Sequence, residues 1–156
     1  MSEPERDSRS QIVYRRIPPK LWDAGGPAAF LEGEGEGLSL FRGEVRTPAE
    51  VIRHAIDCAR EKAQSSDRKT QRSGEHQLAK YGETVEEWIQ NGWHVVELPA
   101  SAFTERNYHF GQTEPDGHVE AFGDHDTFAI ELADLAVEVQ RDRILQADAP
   151  AEYIDD

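Results

Sequence analysis

The order of elements in this sequence predicts an α+β domain: a mostly antiparallel sheet of four to six short strands packed against about three helices in a single domain. Three observations carry that prediction. Two extended pieces, two helices, three extended pieces and a final helix follow one another without the regular alternation of a doubly wound parallel sheet. Two helix starts are marked by threonine caps with a glutamate three residues on, at Thr47 and Thr84. The apolar runs between them are short and bounded by proline or glycine.

Gln11 to Ile17 alternates, with Ile12 and Tyr14 on one side and Val13 and Ile17 on the other, and Pro18-Pro19 ends the strand because proline has no N–H for the ladder. Residues 23 to 37 are rich in turn formers, with Ala28 to Leu31 as a short extended piece. Leu38 to Arg42 reads as the second strand, closed by Gly43. Thr47-Pro48-Ala49-Glu50 is the clearest local signal: a cap, proline at the first helical position and a glutamate that reaches back. Ile52, Ala55, Ile56, Ala59 and Ala63 continue one apolar face to about Gln64.

No apolar residue lies between Ser65 and His76, so this basic segment is expected as a long loop or an exposed helix, and in the domain plan it is a mobile arm. Thr84 to Asn91 is a two-turn helix stopped by Gly92, and Trp93 to Leu98 is a strand ended by Pro99. Tyr108 to Gln112 and His118 to Phe122 flank Pro115-Asp116-Gly117, the composition of a hairpin turn. Asp124 or Asp126 caps the last helix, whose apolar stripe is Phe128, Leu132, Leu135, Ala136 and Val139. The expected plan is a disordered tail over 1–10, the domain over 11–143 with its basic arm near 65–76, and an acidic tail over 144–156.

Seventeen Lys and Arg against 31 Asp and Glu leave a net charge of −14, which opposes adhesion to phosphate backbones and anionic lipid. Nucleic acid is therefore disfavoured as a partner except through residues 60–80, where six basic side chains against three acidic ones give +3. No stretch has the length and apolarity of a membrane span, and residues 1–10 lack the pattern of a signal peptide, so no membrane partner and a cytoplasmic location are expected. Acidity of this degree also suits a salt-tolerant host. Cys58, the single cysteine, reads as a small core residue.

Tyr108 to Asp126 concentrates three of the six histidines and five carboxylates. Period two in a strand puts His118 and Glu120 side by side as an acid and base pair. A paired strand and the next helix cap bring His109 and His125 toward the same surface as candidate ligands, with His118, for a divalent metal. The spacing matches no fixed metal motif. The alternative gives these residues to a solvated sheet edge, a turn and a helix cap.

Without a complete catalytic constellation, the leading expectation is an accessory protein that binds another protein, with Trp22 as an aromatic anchor and Arg68, Lys69 and Arg72 as charged contacts. Trp22 lies between Pro18-Pro19 and Gly25-Gly26, where it either plugs the sheet or meets a partner. The competing expectation is a metal-dependent hydrolase, such as a phosphoesterase, built on the His/Glu cluster. A third pairs Arg15 or Arg16 with Glu120 in a transferase that uses a dinucleotide.

Overall fold

β1 (Ile12–Ile17) pairs antiparallel with β2 (Leu38–Arg42) on one side and β3 (His94–Pro99) on the other, and so occupies the middle of the sheet. β5 (His118–Phe122) adds to β2, β4 (His109–Phe110) adds to β5, and β6 (Val137–Glu138) adds to β3. The result is an α+β fold with one six-stranded antiparallel sheet in the order β4-β5-β2-β1-β3-β6. The computed structural model describes residues 11–31 and 37–147. The expected tail over 1–10 and residues 148–156 of the acidic tail lie outside them.

Alternation along the strands divides the core in two. Val13, Ile17, Leu38, Leu40, Val96, Leu98, Val119 and Ala121 face one way and pack against α6 (His125–Leu135), the short helix α5 (Ser101–Thr104) and a 3-10 turn, Gly26–Phe30. Tyr14, Phe41 and Val95 face the other way and pack against α2 (Pro48–Ala63), α4 (Val85–Gln90) and α7 (Arg141–Ala147). We call these the α6 face and the α2 face.

The Thr47 capping box forms as expected: its hydroxyl accepts from the Glu50 amide at 3.2 Å, and the Glu50 carboxylate accepts from the Thr47 amide at 2.8 Å. The Thr84 hydroxyl accepts from the Glu87 amide at 3.1 Å, and α4 carries Trp88 into a cluster with Tyr81 and Trp93.

Five local expectations are corrected. Ala28 to Leu31 is not extended: the 3-10 turn buries Ala29 and Phe30 beneath α6. Pro18-Pro19 ends β1 but also opens α1 (Pro19–Ala24), so Trp22 sits on regular structure. The basic segment takes the exposed-helix alternative rather than the arm of the domain plan: α3 (Arg68–Tyr81) starts at an Asp67 cap and packs along α2. Its anchors, Leu78 and Tyr81, come late in the helix, and Gly74 allows the two backbones to meet: a Cβ there would lie 2.4 Å from Ala63 N and 2.5 Å from Ala59 O.

The last helix, read as one stripe, stops at Leu135, where Ala136 turns extended and β6 joins the edge of the sheet. Val139 and Ile144 consequently bury on the opposite face from Leu132, and the domain continues past 143 into α7.

Candidate functional site

On β5 the alternation places His118, Glu120 and Phe122 on the α2 face, with Val119 and Ala121 in the core beneath α6. Register sets His118 opposite Phe41 and Glu120 opposite Ser39 on β2. The helices of this face sit over β1 and β3, and the three β5 side chains are left partly exposed. Phe41, 2% exposed, lies buried between His118 and α2.

Loop geometry fixes His118. The Glu114 amide donates to the His118 carbonyl at 2.8 Å, and Asp116 Oδ1 accepts from the His118 amide at 3.0 Å. Between them Gly117 adopts φ +90°, a conformation that favours glycine. The His118 ring is hydrogen-bonded at one nitrogen and faces a carboxylate at the other: Nε2 lies 2.7 Å from Ser39 Oγ, and Nδ1 lies within ion-pair distance, 3.4 Å, of a Glu114 carboxylate oxygen. Glu120 shares the face, but its carboxylate has no hydrogen-bond or ion-pair partner among the described residues; its backbone carbonyl accepts from the Gly111 amide at 2.8 Å. The imidazole thus meets Ser39 and Glu114 rather than the strand neighbour that period two suggests.

A second histidine stands across Phe41. His54, on α2, contacts the Phe41 ring edge-on at 4.9 Å, and His118 does so at 5.4 Å. Arg16 Nη1 donates to the Val51 carbonyl at 3.0 Å and to His54 Nδ1 at 3.1 Å. A guanidinium can only donate, so Nδ1 is the acceptor and the proton of neutral His54 sits on Nε2, from which Asp116 Oδ2 accepts at 3.2 Å. Burial and the Arg16 charge lower the His54 pKa below its ordinary value, against the pull of Asp116.

Asp116 is itself held low, chiefly by the His118 amide. Burial brings Arg16 down to about 10. Its Nη1 is bonded and its Cζ lies 5.2 Å from the centroid of the Phe41 ring, but no carboxylate pairs with it among the described residues. Cys58, expected in the core, is partly exposed one helical turn beyond His54, with Sγ 3.7 Å from Nδ1.

The three candidate metal ligands are not brought together. His109 shares the α2 face with His118 but lies at the far end of β5, exposed and stacked on Phe122 at 5.4 Å. His125 enters at the start of α6 and is buried on the α6 face, 3.2 Å from the Tyr108 hydroxyl, whose pKa burial pushes up to about 12. No three His, Cys, Asp or Glu side chains among the described residues are grouped so as to hold a metal ion. The dinucleotide outline is likewise divided. Arg15 points to the α6 face, where Nε donates to Ala29 O at 2.7 Å, while Arg16 shares the face of Glu120 but turns toward α2.

The candidate protein-binding residues also separate. Arg68, Lys69 and Arg72 are exposed on α3, outside the α2 layer. Trp22 lies on the α6 side and stacks on His94 with ring centroids 3.7 Å apart; His94 Nδ1 in turn lies 2.8 Å from Glu138. Trp22 forms one wall of a cleft of about 320 Å³, with Leu21, Phe30 and Val96 as its apolar interior and Asp134 and Glu138 also lining it. Val137, next along the edge strand, is 63% exposed. Of the residues in these two places, sequence reasoning missed His54 and Glu114 at the first and His94, Asp134 and Glu138 at the second, read Asp116 only as a turn residue, and set Ser39 aside as a nucleophile for want of a glycine-flanked elbow. Only the spacing of His54 and Cys58, four apart on the border of an apolar helix face, signals any of this in advance.

Comparison with protein-family models, with curated proteins and with solved structures gave no match.

Proposed function

We propose that this protein is a binding module for another protein and that its cleft beside α1 takes an apolar segment of the partner flanked by basic residues. The observation that supports this reading is the cleft itself: an aromatic wall, a concave apolar interior and two acidic side chains, beside the outer strand of the sheet. Trp22 supplies a rigid aromatic surface of the kind that dominates binding energy. Asp134, Glu138 and the overall charge of −14 favour cationic flanks and speed their encounter. β6 pairs on one side only among the described residues, so a partner strand has main-chain groups to join.

The test uses two fluorescein-labelled peptides with the same Leu-Phe-Leu centre, one flanked by lysines and one by glutamates. Binding of the lysine peptide, weakened about tenfold or more by Trp22→Ala as expected for an anchor residue, supports the reading. Equal binding of both peptides, or no effect of Trp22→Ala in a protein that remains folded, refutes it.

A further inference from the structure

We propose that Ser39, His118 and Glu114 form a hydrolytic centre on the opposite face of the sheet, acting on small esters that carry an acidic group read by Arg16. The proposal is independent of the cleft. Its geometry sets a nucleophile, a base and a carboxylate in succession: Ser39 Oγ is 2.7 Å from His118 Nε2, and Nδ1 of the same ring is within ion-pair distance, 3.4 Å, of the Glu114 carboxylate. With the ring proton on Nδ1, Nε2 is free to accept the serine proton.

Three further features fit. The His118 side chain is 21% exposed and Glu114 61%, so the row is reachable from solvent. The backbones of β2 and β5 already pair through four successive residues, so the side-chain bond is not needed to join them. Arg16 lies on the same face as Ser39, since Tyr14 faces Phe41 and each is two residues from the side chain in question. Its guanidinium, with Cζ 5.2 Å from the centroid of the Phe41 ring and without a carboxylate among the described residues, is a local cation in a protein of charge −14. A carboxylate or phosphate on the substrate supplies the missing partner.

The reaction balances without a cofactor. His118 Nε2 takes the Ser39 proton as Oγ bonds to the ester carbonyl carbon. The tetrahedral adduct then expels the alcohol, which leaves with the proton from Nε2. Water, losing a proton to Nε2, attacks the acyl carbon; the carboxylic acid departs and the proton returns to Ser39. The Glu114 carboxylate, 3.4 Å from Nδ1, lies close enough to offset the charge of the imidazolium that forms in each half.

The experiment compares mono-p-nitrophenyl succinate, which is anionic, with neutral p-nitrophenyl butyrate, and treats the protein with a fluorophosphonate. The expected results are faster turnover of the succinate ester and a single adduct mapped to Ser39. His118→Gln should lower kcat/KM about 100-fold or more, in the range for loss of a general base. Glu114→Gln should lower kcat with little change in KM. Arg16→Lys should raise KM for the succinate ester alone. Turnover that survives Ser39→Ala, an adduct elsewhere, or no turnover and no adduct with the wild-type protein overturns the proposal. If Ser39→Ala fails to fold, the wild-type adduct map decides.

Discussion

Asp116 joins His54 to the turn before β5: one carboxylate oxygen lies 3.2 Å from His54 Nε2 while the other accepts from the His118 amide at 3.0 Å. The aspartate therefore ties α2 to the sheet through a histidine whose protonation is opposed by burial and by Arg16.

A pH dependence follows. The folded pKa of His54 lies below the unfolded value of about 6.5, so its contribution to stability is fully present above that pH and is lost as the pH falls from there through the folded value. The urea midpoint should drop between pH 7.5 and 5.5, and the drop should be smaller in His54→Gln. Asp116 loses its own contribution only at lower pH, because its folded pKa is depressed below the ordinary carboxylate value. NMR titration should place His54 below 6.5, and lower still in Asp116→Asn, since Asp116 raises it. A His54 that titrates above the free value would contradict this account.

Gly74→Ala should destabilise the protein although alanine is the better helix former by about 1 kcal/mol. The new Cβ meets backbone atoms of Ala59 and Ala63 rather than flexible side-chain ends, so α3 must lift from α2. Such overpacking costs about 1–3 kcal/mol, which exceeds the propensity gain. Thermal melts read the net sign, and an increase in Tm would show that the helices are not in contact there.

Thr47→Ala removes the hydroxyl that accepts from the Glu50 amide and should cost about 1 kcal/mol. Glu50 keeps its bond to the Thr47 backbone, so Thr47→Ser should recover most of the loss. Denaturant midpoints for the three proteins rank them directly.

Ile144→Ala tests whether α7 belongs to the core. Its side chain is 2% exposed and packs with Val139, Trp88 and α2 residues, so truncation should cost about 2–5 kcal/mol. A surface position would lose less than about 0.5 kcal/mol.

The parts of the fold that were legible in the sequence are those set by neighbours along the chain. The Thr47 box, the strand ended by Pro99 and the turn at Asp116 and Gly117 each rest on side chains a few residues apart. α3, β6 and the turn that buries Phe30 depend on distant partners: the backbone of α2, the free edge of β3 and the underside of α6. The site divides the same way. Period two correctly puts His118 and Glu120 on one face. What His118 actually touches depends on the register of β2 against β5 and on a loop that folds back, and neither is encoded locally. Val139 misled for a related reason, since helical spacing cannot reveal that the backbone turns extended at Ala136 and changes sides.

That change of sides governs how the molecule can be assembled as it is synthesised. The first strand waits for neighbours from residues 38–42 and 94–99, and one layer of its cover is completed only by Val139 and Ile144, more than a hundred residues later. A chain released from the ribosome up to Leu135 would have α6 in place but an apolar surface still uncovered on the reverse of the sheet. Burial of both surfaces is therefore a late event, and shortened translation products ending before α7 should be drawn to chaperones and proteases while the full domain escapes them.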